Sequence, residues 1–355
     1  MRKRHILGVL VWVGMALLTL VPTANCMEIF GAWHCGNDYC TWSTVRNMTD
    51  FDLKNRWLID RGDGIPSVNL VILSFVNPLK LLNDGPLNGV PVGMTQDVVN
   101  YFTSRGVRVM LSIGGITYVD YWNQALAGDA YQLGLNAATA AQRLGVGIEI
   151  DYEENSNPNL TGLQAFIDAY RSVHPYDITG TNPAARLTID LAAGDRWLID
   201  LTEHATRVWP TNTSPVLDYA NAMVPARQPR NAADATANWQ EHIDGKPQYA
   251  PPILPLAPAK FTGSLWLVTG RKPAPECVNF NNSLTKSTGS YVQTVQPNAS
   301  HPEWSRGMLG YMFWAAECQG TRSLCTTPPN TCEGGMGVAA TVYNIPIPMP
   351  PLRQQ

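Results

Sequence analysis

Gly145-Val-Gly-Ile-Glu-Ile-Asp-Tyr-Glu-Glu154 alternates apolar and acidic side chains. Successive side chains of a strand point to opposite faces. Glu149, Asp151 and Glu153 therefore share one face, and Ile148, Ile150 and Tyr152 share the other. A strand at a sheet surface alternates in the same way, but its polar residues face water and are usually mixed in type. Three carboxylates in a row on so apolar a strand repel one another. The row is tolerated when some acids keep their protons, which separates their pKa values. Carboxyl groups with separated pKa values are what hydrolysis of a glycosidic bond requires.

Outward from this strand, the chain repeats one pattern. Strand-like runs begin near residues 29, 68, 107, 146, 186, 216, 264 and 307. They include Ile29–His34, Val68–Val76, Val107–Gly115, Arg186–Ala192, Val216–Val224, Ser264–Thr269 and Gly307–Ala315. Helical patterns lie between them at Thr49–Arg61, Thr95–Arg105, 120–143, Leu160–His174, Arg196–Val208 and Ala232–Ile243, while 79–94 reads as a Pro- and Gly-rich loop. Strands alternating with helices imply right-handed crossovers and a parallel sheet. Eight such units in about 300 residues fit a closed (β/α)8 TIM barrel of the α/β class. An open doubly wound sheet is disfavoured because no Gly-x-Gly-x-x-Gly turn follows the first strand. The barrel is expected over 27–343 as a single domain, followed by a Pro-rich tail at 344–355 that is ordered only where it touches the barrel. The run from Thr269 to Gly307 is too short for a sizeable α+β insertion.

Residues 1–26 read as a signal peptide: Arg2, Lys3 and Arg4 open it, an apolar run from Ile6 to Val21 follows, and permissive residues lead to Cys26. The apolar run is short for a membrane span of about 20 residues, so export without a membrane anchor is expected. Cleavage leaves Cys35, Cys40, Cys277, Cys318, Cys325 and Cys332 as disulfide candidates, with Cys35–Cys40 and two bridges among the others. Their spacing matches no zinc site. Sequons at Asn47, Asn159, Asn212, Asn281 and Asn298 allow glycosylation. A net charge of −3 without a long basic run excludes a nucleic-acid footprint. The 11 Trp and 13 Tyr suit flat sugar faces as well as cores.

Barrel enzymes carry their chemistry at the C-terminal ends of the strands. Glu153 lies at that end of the fourth strand, Gly114 and Gly115 end the third, and Trp314 ends the eighth. The absent side chains of the glycine pair are expected to leave space beside the acids. Leu111-Ser-Ile-Gly-Gly115 resembles the Ser-x-Gly-Gly motif of strand 3 in glycoside hydrolase family 18, the chitinase family. Val146-Gly-Ile-Glu-Ile-Asp-Tyr-Glu153 resembles its strand 4 motif, Asp-x-x-Asp-x-Asp-x-Glu, and Tyr311-Met-Phe-Trp314 its strand 8 segment. The resemblance spans most of 27–317. It implies that Glu153 is the general acid, that Asp151 orients the substrate's N-acetyl group, that Glu149 belongs to the catalytic row, and that Trp314 floors the sugar site. It also implies that the acetamido oxygen attacks the anomeric carbon, with net retention and no cofactor.

Three departures stand out. Val146 replaces the first motif Asp, Glu149 the second, and the strand 6 pattern Met-x-Tyr-Asp reads Met223-Val-Pro-Ala226, which keeps Met223 as a substrate-binding candidate. Asp190, inward if Ile189 and Leu191 face out, is a candidate to replace a lost acid. The reading that follows is a secreted, monomeric, endo-acting hydrolase of chitin or N-acetylglucosamine oligosaccharides. An endo-β-N-acetylglucosaminidase and a chitin-binding lectin-like protein are the alternatives.

Overall fold

A computed structural model describes residues 28–36, 47–60, 64–192, 197–209, 216–223, 232–266, 268–269, 272–273, 288–314, 316 and 352. The expected signal peptide, every cysteine except Cys35, and Val224–Ala226 lie outside the described residues. Cys35 is disulfide-bonded.

Eight parallel strands close into a barrel. They are β1 (Ile29–Cys35), β2 (Leu70–Val76), β3 (Arg108–Gly114), β4 (Gly147–Asp151), β5 (Leu187–Ala192), β6 (Ala220–Met223), β7 (Phe261–Trp266) and β8 (Gly310–Trp314). Closure is made by β1 against β8, with Ile29 opposite Gly310 and Ala32 opposite Phe313. The helices are α1 (Met48–Ile59), α2 (Pro78–Asn88), α3 (Gln96–Thr103), α4 (Val119–Leu144), α5 (Leu160–Val173), α6 (Ile199–Val208), α7 (Ala232–Asp244) and α8 (Thr288–Thr294). Among the described residues no helix is long and apolar enough to cross a membrane.

The structure differs from the sequence expectation in several places. The stretch read as a loop at 79–94 contains α2, which Asn77 caps by accepting from the Lys80 N–H and Pro78 opens with its preset φ. Gly85 (φ 77°) breaks that helix just before Pro86, and this is why its composition reads as a loop. Strand β6 begins at Ala220, four residues later than expected, and β7 begins at Phe261, three earlier. Val268–Thr269 leaves the barrel to pair with Lys272–Pro273 in a small antiparallel hairpin.

Strand alternation sorts the core into two populations. Outward residues such as Val71, Leu111, Ile148, Ile150, Ile189 and Phe313 join the helix-facing side chains Trp122, Leu133, Phe166 and Tyr170 in one large cluster. Inward residues Ile29, Trp33, Leu70, Ile72, Met110, Tyr219, Leu309 and Met312 fill the barrel's interior. Leu352, the one described residue of the tail, is buried with them. Each fully buried aliphatic or aromatic side chain contributes about 1.5–3 kcal/mol relative to an exposed one. The barrel is therefore held by apolar packing on the outer face of its strands and, on β1, β2, β3 and β8, on the inner face as well.

One polar clip ties α5 to the bottom of the barrel. The Arg171 guanidinium pairs with Asp218 at 3.2 Å and donates to the carbonyls of Val216, Ala185 and His174. Asp218 also accepts from the Leu187 N–H at 2.8 Å, so the pair spans the entries of β5 and β6. Removing one member of a buried, hydrogen-bonded pair strands the other. Asp218→Ala is expected to lower unfolding stability by about 3–5 kcal/mol in urea titration. An unchanged midpoint would show that the clip is dispensable.

Candidate active site

The acidic row of β4 points into the barrel. Glu149 is 0% exposed and Asp151 4%, while Glu153, just beyond the strand, stands at the mouth. Sequence placed these three on one face, and the structure places Asp190 of β5 beside them at 2% exposure. A cleft of about 340 Å³ opens over these acids. It is lined by Asp151, Glu153 and Asp190, by the aromatic rings of Trp33, Phe75, Trp197 and Trp314, and by Gly115, Ile116, Thr117 and Met223. Trp314 packs against Phe75 with ring centroids 5.4 Å apart, so the two rings form one wall. Beyond Glu153 the cleft runs into a shallower groove of about 500 Å³ between Ile116, Asp120, Asn155 and Trp197. A larger hollow of about 690 Å³ lies outside the barrel around Asn123, Ala127 and Asn159. Among the described residues its only acid is Glu154, which is already engaged by Asn123 and the Ser156 N–H, so the chemistry belongs to the barrel mouth.

Glu149 is the anchor of the row. Trp33 Nε1 donates to its Oε1 at 2.9 Å and Asn221 Nδ2 to its Oε2 at 2.6 Å. Asn221 is itself oriented by the Thr262 hydroxyl, which donates to Oδ1 at 2.5 Å. Both carboxylate oxygens are thus occupied from across the barrel, by β1 and β6. Burial still pushes the Glu149 carboxyl up to about 7, against the lowering influence of Trp33, Ser112, Asp190 and Asn221.

Asp151 has a different environment. Burial raises its pKa, and the charges of Glu153 and Glu149 raise it further. Its Oδ1 is buried without a hydrogen-bond partner among the described residues. The Glu153 carboxyl is pushed up to about 7 by burial, opposed by a backbone hydrogen bond from Ile116. No lysine, arginine or histidine lines the cleft among the described residues. Burial, and for Asp151 the neighbouring carboxylates as well, therefore favours the protonated forms of the row. Among the described residues, no three His, Cys, Asp or Glu side chains are disposed to hold a metal ion.

Backbone bonds hold the row in place. The Asp151 carbonyl accepts from the Gly115 N–H at 2.9 Å and from Trp122 Nε1 at 3.1 Å. On the outer face, Tyr152 donates its hydroxyl to Asn123 Oδ1 at 2.5 Å and accepts from the Asn159 N–H at 3.0 Å. That pins both ends of the loop carrying Glu153 and Glu154 to α4 and α5. The structure corrects the expected role of Gly114. A Cβ there would come 1.9 Å from the Asp151 carbonyl and 2.3 Å from Trp122 Nε1, so the missing side chain is filled by the strand itself and leaves no room for a ligand. Gly115 (φ 96°) does line the cleft, against the Phe75 ring. Val146 is buried in the outer core, where an acid would be unpartnered. Sequence reasoning missed Trp33, Asn221 and Trp197. The period-2 alternation Ile29, Gly31, Trp33 was the one available signal, and it marks Trp33 as inward.

No family model matches the chain, and no curated protein does. Among solved structures, the fold is similar to a GH18 chitinase from Pseudoalteromonas aurantia, with a TM-score of 0.49 and 13% identity over 80% of this chain and 93% of that one. It is similar to the chitinase ChiC from Aspergillus fumigatus, with a TM-score of 0.48 and 15% identity over 84% and 94% of the two chains. It is also similar to a GH18 chitinase from Cycas revoluta in complex with (GlcNAc)3, with a TM-score of 0.41 and 13% identity over 80% and 94%. What these comparisons describe is a likeness of barrel architecture; the barrel itself stands on its strand pairing.

The protonated row has a consequence for stability. A carboxyl whose pKa is raised on folding binds its proton more tightly in the native state. Its stabilising contribution is complete below the unfolded value and is lost as pH rises through the folded value. For Glu149 the window runs from 4.5 to about 7, which at about 1.4 kcal/mol per pKa unit is on the order of 3 kcal/mol. Thermal stability is expected to fall between about pH 5 and about pH 8, and less steeply in Glu149→Gln, which has no proton to lose there. Equal slopes for the two proteins in scanning calorimetry would count against a protonated Glu149.

Proposed function

We propose that the protein is a secreted glycoside hydrolase that cleaves β-1,4-linked N-acetylglucosamine polymers internally and with retention. One observation carries the reading. Glu153 and Asp151 meet in one aromatic-walled cleft, both with pKa values raised, one at its mouth and one beneath it. The motifs of strands 3, 4 and 8 resemble those of glycoside hydrolase family 18, and four of their residues, Gly115, Asp151, Glu153 and Trp314, line this cleft.

The chemistry follows from these protonation states. With a pKa raised to about 7, Glu153 holds a proton near neutrality and is suited to deliver it to the glycosidic oxygen. As the bond from the anomeric carbon to that oxygen breaks, the acetamido oxygen of the same sugar forms a new bond to the carbon. A cyclic oxazolinium results, and the proton from Glu153 leaves with the departing chain. Asp151 lies beneath Glu153 and accepts from the acetamido N–H, stabilising the positive charge that develops there. Water then adds to the anomeric carbon from the side the chain vacated, as the bond from that carbon to the acetamido oxygen breaks and the ring opens back to the acetamide. Its proton goes to the Glu153 carboxylate, which restores the starting state and retains the β configuration. Trp314 and Phe75 supply an apolar wall for a sugar face. The groove past Glu153 continues the cleft, sharing Ile116, Thr117, Glu153 and Trp197 with it, which suits binding within a chain.

Val224-Pro-Ala226, where the family pattern carries a Tyr, favours a second reading as a chitin-binding protein with little turnover. Release of glycans from a denatured glycoprotein would mark the endo-β-N-acetylglucosaminidase variant of the same chemistry. Product release from a chitin hexamer separates these readings. The wild type is expected to give β-anomeric products from the middle of the chain, and Glu153→Gln to fold normally with a loss of about 10²–10⁴-fold in kcat. Wild-type rates in the mutant would end the assignment of the acid. Binding without product in either protein would make it a lectin-like binder.

A further inference from the structure

Strand β5 supplies one polar group to the cleft that the chemistry above leaves unused. Asp190 is buried and lines the cleft with Asp151 and Glu153. Its Oδ1, like that of Asp151, is buried without a hydrogen-bond partner among the described residues, and its other contacts are Glu149 and Asn221. The parallel register sets Glu149 beside Thr188 and Ile150 beside Ile189, so the next pair up the barrel is Asp151 and Asp190. Two carboxyls on neighbouring strands, each with a free oxygen, thus sit at one level under the cleft.

A buried polar atom without a partner is costly unless a ligand supplies the partner. Two neighbouring carboxyls without a cation share protons. A pair holding one proton presents one acceptor and one O–H donor side by side. A secondary amide presents the converse, an N–H donor and a C=O acceptor. We propose that Asp190 is a substrate-contacting residue that donates a hydrogen bond to the acetamido oxygen of the bound sugar while Asp151 accepts from its N–H, so that the pair selects N-acetylated over de-N-acetylated sugars. The inference rests on the proposed action on N-acetylglucosamine polymers. Burial, and then the charges of Glu149 and Asp151, raise the Asp190 pKa, which favours its protonated, donating form. The β6 residue of the cleft, Met223, offers no hydroxyl that could take this role. Thr117, the one hydroxyl-bearing residue of the lining among the described residues, belongs to the short turn after β3.

Calorimetric titration in the Glu153→Gln background measures binding without turnover. The probes are a chitin tetramer and its fully de-N-acetylated counterpart. The parent is expected to prefer the acetylated oligomer. Asp190→Ala is expected to bind it about tenfold more weakly, the worth of one net hydrogen bond, while changing affinity for the de-N-acetylated oligomer far less. Asp190→Asn, which keeps an N–H donor at this position, is expected to recover most of the loss. In the otherwise wild-type enzyme, Asp190→Ala should lower kcat more than it raises KM. Equal effects of Ala and Asn, or equal losses for both oligomers, would show that Asp190 only supports Glu149 and would overturn the inference. Binding without wild-type turnover would sink the hydrolase reading and leave Asp190 to be judged by affinity. Failure of the parent to bind either oligomer would overturn both.

Discussion

Glu149 lies fully buried inside a closed ring of strands, and among the described residues no cation answers it. The upper half of the barrel is organised around that constraint. An isolated charge in such a place is too costly to keep, so the carboxyl is hydrogen-bonded on both oxygens and its pKa rises towards neutrality. Meeting that demand takes groups from opposite sides of the ring: the indole of Trp33, and the amide of Asn221 steadied by Thr262. The interior consequently changes character along its axis. It is apolar around Ile29, Leu70, Met110 and Leu309, and acidic around Glu149, Asp151 and Asp190.

The acids are placed precisely because strand β4 is fixed on both faces. Ile148 and Ile150 lock its outer face into the helix layer, and Tyr152 fastens the following loop to α4 and α5. At the strand's end, the Asp151 carbonyl is held by the Gly115 N–H and by Trp122, an approach that only a glycine at 114 permits. A site assembled on strands in this way stays aligned while its groove remains open to a polymer.

Much of this was legible in advance, and the exceptions have physical causes. The eight strands and their parallel order follow from period-2 apolar runs separated by helical patterns, and the orientation of Glu149, Asp151 and Glu153 follows from alternation alone. The ends of β6 and β7 did not follow, because pairing with neighbours, rather than apolar content, sets where those strands start. Helix α2 was hidden by Gly85 and Pro86, which break it at one point without preventing it. Gly114 was misjudged because a glycine records only that a side chain is excluded, and whether a ligand or the protein's own backbone excludes it is a fact about neighbours.

By itself, the sequence determined the class of fold, the strand that carries the acids and the face on which they lie. Each of these depends on local periodicity, and local periodicity is written residue by residue. Tertiary structure alone decided which groups meet those acids. Trp33 and Glu149 are joined although 116 residues separate them, as are Asn221 and Glu149 across 72. Asp190 stands beside Asp151 only because β4 and β5 pair in one register and not the next. Closing the barrel brings these distant positions together. Their pKa values and free oxygens, and so the chemistry of the cleft, are properties of that closure.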